Sequence, residues 1–248
     1  MLGDEKCTTL FVCGDVMLGR GIDQILPHPG DLTLYEHYVG SALHYVHIPE
    51  RHHGPITVPC SFDYVWGDAL ADLDAIGLDG LIINLDTSVT ASMEPEPKGI
   101  NYKMNAANVD CIKAAKVDCC VLANNHVLDW GTKGLLETLS TLQQEGISVA
   151  GAEIDSDQAE APATISTPND RRTLVFGFGA VTSGIPLEWA ATDSRPGVNL
   201  LPDLSIATAN RIADRILLLR SPGDLVVVSI HWGSKLGLCD RYWAARIR

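Results

Sequence analysis

Five short runs of nearly uninterrupted apolar residues constrain this chain more than any other feature. They are "TTLFVCGD" (8–15), "GLIINLD" (80–86), "CCVLANN" (119–125), "TLVFGFGA" (173–180) and "DLVVVSIHWG" (224–233). Runs of this length, rich in Val, Ile, Leu and Phe and without polar alternation, describe strands covered on both faces. "ISVAGA" (147–152) is a weaker sixth. Helical spacing fills the gaps. Leu135, Leu139 and Leu142 recur at i, i+4 and i+7 ahead of Gly146, and Ala209, Ile212, Ile216 and Leu219 recur in the same way ahead of Pro222 and Gly223, where glycine and proline stop a helix. Strands alternating with helices predict an α/β layered domain built on mostly parallel strands.

One stretch departs from this rhythm. Residues 27–59 open with two turn signals and continue as "LYEHYVGSALHYVHIPERHHGPITVP", which predicts an insertion holding one helix. No internal repeat or low-complexity linker divides the rest, so a single domain over 1–248 is expected. Within the insertion, His37, His44, His47, His52 and His53 are dense, with His44 and His47 on one helix face. They are read as a solvated amphipathic face, because no carboxylate stands at ligand spacing.

Charge narrows the function classes. The net charge is −13 and the 18 Lys and Arg residues are scattered, which excludes a nucleic-acid binder, since neutralising phosphates requires clustered cations. The N-terminus "MLGDEKCTTLF" is acidic where a signal peptide is basic, and no apolar run approaches the roughly 18 residues of a membrane span. No direct membrane insertion and a cytoplasmic location are therefore expected. The seven cysteines include no CxxC, so a thiolate zinc site is not expected, and Cys119 and Cys120 within an apolar run read as small buried hydrophobes.

The strands share a second property: each of the four clearest ends in a polar group. Asp15, Asp86, the triplet Asn124, Asn125 and His126, and His231 all stand at the carboxyl end of a run. Ligands of α/β sheets bind outside those ends, so residues distant in sequence can converge there. Taken singly, each aspartate is as readily a helix cap or turn former, the asparagines are turn residues, and His231 a core histidine. Taken together, two carboxylates, an amide and two imidazoles form an oxygen and nitrogen donor set suited to Mn²⁺, Fe, Zn²⁺ or Mg²⁺. A pair of such ions can clamp a phosphoryl oxygen and generate a hydroxide nucleophile. In "GDVMLGRG", Gly14, Gly19 and Gly21 would let the backbone approach an anion that Arg20 could grip, although the pattern matches no P-loop or dinucleotide fingerprint. Asp129 lies near the positive end of the Leu135 helix and reads as its cap.

The motifs "FVCGDVMLGRGID", "IINLDTSVT", "VLANNHVLDWGTKGLLETLSTL", "GAEIDSDQAEAP" and "VVSIHWG" resemble, in order and spacing, the CapA family of capsule synthesis, also called poly-γ-glutamate synthesis proteins. The resemblance covers roughly residues 8 to 235. That family is related to the calcineurin-like metallophosphoesterases, which implies an αββα sandwich with metal ions at the strand ends. By the same resemblance Asp15, Asp86, Asn125 and His231 would be metal ligands, with Asp86 standing where the family usually has Glu. His126 would be the catalytic histidine, Arg20 a catalytic and substrate-anion contact, and Asn124, Lys98 and Lys103 substrate contacts, with Asn124 also shaping the turn. The resemblance further implies a metal-dependent, phosphoesterase-like hydrolase acting on an anionic small molecule or polymer, with capsule-polymer synthesis proteins as partners. The alternatives are a non-catalytic accessory subunit of polymer synthesis that holds metal or a polyanion, or an inactive truncated form. A "GH..HH"-type segment of the family is replaced here by "SKLGLCDRYWAARIR", so a sandwich incomplete at its C-terminus, with an atypical tail over 236–248, is expected.

Overall fold

The computed structural model describes residues 7–166 and 171–233; the tail over 236–248 lies outside them. Strand β1 (Leu10–Val16) and the short helix α1 (Gly21–Ile25) lead into the stretch expected to be an insertion. That stretch holds more than the expected helix: an antiparallel pair, β2 (Thr33–Glu36) and β3 (Val39–Ser41), precedes α2 (Leu43–His53). His44 and His47 are exposed on α2, as a solvated face requires, though His47 Nδ1 does find Glu50 at 3.0 Å. Helix α3 (Ala69–Ile76), β4 (Gly80–Leu85), and the small strands β5 (Ser88–Val89) and β6 (Lys103–Met104) follow. Next come α4 (Asp110–Ala114), β7 (Cys119–Val121), α5 (Gly131–Gln144), β8 (Ser148–Ala150) and β9 (Ala152–Glu153). The chain continues through α6 (Ser156–Glu160), β10 (Ala163–Ser166), β11 (Arg172–Ala180), β12 (Gly197–Val198), β13 (Leu200–Leu201), α7 (Ile206–Leu219) and β14 (Leu225–His231).

Two sheets carry the architecture. The first is parallel throughout, in the order β1-β4-β7-β8. The second is mixed and centres on β11, which pairs antiparallel with β10 and parallel with β13 and β14. Three apolar clusters define the layers. Leu81, Ile83, Leu85 and Cys120 of the first sheet, with Leu122 just past β7, face α4 and α5, where Ile112, Leu135, Leu139 and Leu142 are buried; each such leucine contributes roughly 1.5–3 kcal/mol. On the opposite face Ile82, Cys119, Val121 and Ala150 meet Ile165 and Val175 of the second sheet. Leu174, Phe176 and Phe178 point outward again, toward Ile212 and Ile216 of α7. The order is helix, sheet, sheet, helix, an α/β fold with a parallel sheet.

The glycines of "VFGFG" set how closely the sheets approach. A Cβ on Gly177 would lie 2.9 Å from both the Ala150 carbonyl oxygen and Val121 Cγ1, closer than real contacts allow. Glycine here lets β11 press against β7 and β8 near their carboxyl ends.

The expectation that every apolar strand is covered on both faces fails at β1 and β14. Val12 is 55% exposed and Val228 42%, because each strand ends its sheet and no described strand lies beyond it. The run "CCVLANN" is also a shorter strand than expected: β7 stops at Val121, and the following residues turn to build the site. Among the described residues no helix is long and apolar enough to cross a membrane.

Candidate active site

The first sheet supplies one wall. Its register jumps between Cys13 and Asp15, and this bulge brings the Asp15 side chain level with Asn84 of β4. Asn84 is a hub that sequence reasoning missed. Its Nδ2 donates to Asp15 Oδ1 at 2.6 Å and lies 3.3 Å from His231 Nδ1, while its Oδ1 accepts from Asn124 Nδ2 at 3.1 Å. The one polar residue inside "LIINL" was the available signal.

His231 enters from the second sheet. Its Nε2 lies 3.0 Å from Asn125 Oδ1. An imidazole that accepts from an amide at Nδ1 and donates to an amide oxygen at Nε2 is the neutral Nε2–H tautomer. Burial pushes the His231 pKa down in the same direction, partly offset by Asp15, whose Oδ1 is 3.6 Å from Nδ1.

Asp86 follows the last residue of β4 and is anchored by its own amide, which donates to the Val16 carbonyl at 3.0 Å. Its carboxyl is buried and Oδ1 has no hydrogen-bond partner. Desolvation pushes its pKa up to about 6, with Asp15 and Asp129 adding to the rise and His126 and Lys98 opposing it. A buried carboxylate oxygen without a donor costs free energy unless a proton or a cation meets it.

The turn after β7 forms the other wall. Asn124 is fully buried, and its Oδ1 accepts from the amides of His126 and Val127, both at 3.0 Å. Its Nδ2 also donates to the Leu85 carbonyl at 2.8 Å. With both ends of the amide turned inward, Asn124 shapes the turn. Ser88 Oγ reaches the His126 and Val127 carbonyls, at 2.9 Å each. His126 is thereby held from both sides of the backbone.

Its ring is held as well. His126 Nδ1 meets Asp129 Oδ2 at 2.6 Å, and Tyr102 stacks on the imidazole at 3.9 Å between centroids. Asp129 is not the cap of α5: the N-cap position is Trp130, which makes no side-chain cap. The carboxylate is fully buried; it also accepts from Lys98 Nζ at 2.6 Å and from the Tyr102 amide at 2.6 Å. An anion so placed fixes the orientation of the ring, leaving Nε2 as the nitrogen available for chemistry. The sequence holds little warning of this, since Lys98 and Tyr102 come from a loop roughly 30 residues upstream.

Each of the three cations expected to contact substrate has a partner within the chain. Lys98 supports the turn, donating to the Asn125 carbonyl as well as to Asp129. Lys103 Nζ donates to the Ser92 carbonyl at 3.0 Å and lies 3.7 Å over the Trp130 ring. Arg20 sits at φ 55, stacked against Tyr45 and Tyr102, with its guanidinium 2.5 Å from Glu36 Oε1. Glu36 belongs to the 27–59 stretch, so that stretch neutralises the arginine expected to grip an anion.

The donors fit a divalent cation in chemistry more than in arrangement. Among the described residues no three His, Cys, Asp or Glu side chains form a ready metal cage. Asp15, Asn125 and His231 are contiguous, but they are engaged with Asn84 and with each other. A cation at His231 Nε2 requires the ring proton to move to Nδ1, toward Asp15. The orphaned Asp86 oxygen is the atom that argues most strongly for a cation.

Carboxylates, amides and imidazoles thus gather at the carboxyl ends of the strands, the place where α/β sheets in general bind their ligands. Sequence comparison is more specific. The chain matches the family described as bacterial capsule synthesis protein PGA_cap over residues 9–241, and it belongs to that family. A probable polyglutamine synthesis accessory protein of Mycobacterium tuberculosis is 41% identical over 96% of this chain and 63% of its own length. The PGA biosynthesis protein CapA of Bacillus subtilis is 24% identical over 94% of this chain and 50% of its own. The capsule biosynthesis protein CapA of Bacillus anthracis is 22% identical over 94% and 48%. The chain thus spans about half to two-thirds of the length of these relatives.

Proposed function

We propose that the strand-end crevice is a metal-dependent hydrolytic site of the phosphoesterase type, in a layered sandwich of the metallophosphoesterase kind, acting on an anionic substrate in capsule-polymer synthesis. The observation that carries this reading is the buried, unpartnered Asp86 oxygen, within electrostatic reach of a histidine whose orientation is fixed by Asp129. Asp15, Asp86, Asn125 and His231 would hold a divalent ion of the Mn, Fe, Zn or Mg type. Such an ion supplies Lewis acidity and lowers the pKa of water. The chain is strongly acidic and its nearby Lys and Arg are already paired, so a cation in the crevice is also what would let an anion approach.

His126 is the group placed to move a proton. As water oxygen bonds to phosphorus and the ester P–O bond breaks, a proton carried on Nε2 of the doubly protonated His126 ring would pass to the departing oxygen, and the proton lost by the water would remain on the phosphate product. The resulting neutral ring stays oriented by Asp129. Tyr102 covers one face of the ring and limits its contact with bulk water.

A second reading, a non-catalytic accessory subunit holding metal or polyanion, draws support from the internal bonding of the donors. The M. tuberculosis relative is likewise named an accessory protein. Metal analysis separates the two, combined with phosphoester turnover by the parent, Asp86→Asn and His231→Ala. The hydrolase reading expects bound divalent metal and turnover in the parent, with both reduced together in each variant. Bound metal with no turnover of any phosphoester leaves the accessory reading.

A further inference from the structure

The glycines of "LGRG" (18–21) let the turn after β1 approach two other parts of the chain. A Cβ on Gly19 would lie 2.7 Å from the Lys103 carbonyl oxygen, and one on Gly21 would lie 2.9 Å from Tyr45 Cβ. Neither distance is open to a larger residue, so the turn is pressed against the loop that carries Tyr102 and against α2, which carries Tyr45. Arg20, between the two glycines, sits at φ 55, a backbone conformation that residues with a Cβ rarely adopt. Such a conformation persists where the surroundings enforce it.

The Arg20 side chain is 13% exposed and the Glu36 side chain at the end of β2 is 1% exposed, with 2.5 Å between the guanidinium and Glu36 Oε1. The Tyr45 hydroxyl donates to the other oxygen of that carboxylate at 2.6 Å. Burial, and then the Glu36 carboxylate, push the Tyr45 pKa up, so the phenol keeps the proton it donates. Arg20 Cζ lies 4.7 Å from the Tyr45 ring centroid and 4.5 Å from that of Tyr102, in the range of cation–π attraction. Among the described residues Arg20 Nε has no acceptor; ring stacking and one ion pair fix the group.

Tyr102 is the next layer. Its ring lies 3.9 Å from the His126 ring and 21° from parallel. Two planar groups cannot share one face of a ring at such distances, so the guanidinium backs the face that His126 does not use. We propose that Arg20 is a positioning residue: braced by Glu36 and Tyr45 of the 27–59 stretch, it backs the Tyr102 ring and so holds that ring against His126. The Asp129 contact at Nδ1 constrains one direction in the imidazole plane, and a contact on the ring face constrains its tilt. Residues of the 27–59 stretch thereby act on the proton donor through two intervening side chains. The effect on turnover rests on the hydrolase reading of His126; the stack itself does not.

The test uses the whole 248-residue chain. Arg20→Gly removes the guanidinium and keeps the turn, since glycine takes a positive φ without strain. Arg20→Lys keeps a cation for Glu36 but offers Tyr102 no plane, and serves where Arg20→Gly does not fold. Glu36→Gln keeps the shape of the brace without its charge, and Tyr102→Leu removes the stack. Proton NMR of the metal-free protein would follow the His126 ring signals, assigned by their loss in His126→Ala. The Tyr102 ring current shifts them upfield, and Tyr102→Leu marks their position without it. Arg20→Gly or Arg20→Lys should move them most of the way to that position, and Glu36→Gln part of the way. With Mn²⁺ and an alkyl phosphoester, kcat should fall about tenfold in the Arg20 variants while KM is unchanged. Unmoved His126 signals would overturn the proposal, and so would moved signals with full kcat. A raised KM with unmoved signals would make Arg20 a substrate contact in its place. A parent without turnover would sink the hydrolase reading alone, and the His126 signals would still decide the positioning.

Discussion

The two walls of the crevice are built in opposite ways. The turn from Asn124 to Asp129 is almost fully buried, and nearly every polar atom in it has a partner: Asn124 bonds four groups, and Asp129 meets Lys98, Tyr102 and His126. The wall formed by Asp15 and His231 sits at the margins of two sheets, half open to solvent and joined by a short chain of single contacts through Asn84. A group meant to move a proton must be held before its substrate arrives, and the chain's own residues hold His126. The donors proposed to hold a cation, by contrast, are placed but not clamped, and a bound cation would complete their arrangement.

Stability measurements can break that comparison. Asp129→Ala removes a buried anion and leaves Lys98 and the Tyr102 amide without their acceptor, so urea denaturation should show a loss of about 3–5 kcal/mol. Asn124→Ala strands the amides of His126 and Val127 and should cost about 2–3 kcal/mol. If either costs less than substitution of Asp15, the turn is not the rigid wall described.

Asp86 lies between the two regimes and gives a pH signature. Its folded pKa of about 6 is above the ordinary 3.8, so the folded state binds the proton more tightly. The parent is then most stable below about pH 4 with respect to this group and loses stability as pH rises through 6. Asp86→Asn removes the penalty, so it should stabilise the metal-free protein by on the order of 2 kcal/mol at pH 7 to 8, with the gain fading toward pH 4. Saturating Mn²⁺ should reverse the order, since a cation favours the ionised carboxylate. The smallest effect belongs to Asp15→Ala: less than about 1 kcal/mol in stability at this exposed position, with a drop in Mn²⁺ affinity measured by equilibrium dialysis.

Much of this site is legible in the sequence because strand ends are local. The apolar runs stop where Asp15, Asp86, Asn125, His126 and His231 begin, and the structure brings those residues to one end of the two sheets. Non-local contacts are where reading fails. Asn84 looked like one more residue of a core strand. Asp129 obeyed the rule for a helix cap, but Lys98 and Tyr102 reach it from a distant loop, and Glu36 from the 27–59 stretch takes up the charge of Arg20. Apolarity also overstates burial at β1 and β14, because composition does not say whether a neighbouring strand exists.

The claim that His126 delivers a proton to the leaving group is tested most directly by leaving-group dependence. Turnover of an alkyl phosphoester and of its p-nitrophenyl counterpart would be compared in the parent and in His126→Ala at equal metal loading. A proton donor matters most when the departing oxygen is strongly basic, so the expected result is a loss of about 10²–10⁴-fold with the alkyl ester and a much smaller loss with p-nitrophenyl. Equal losses on both substrates, or none on either, would contradict the account.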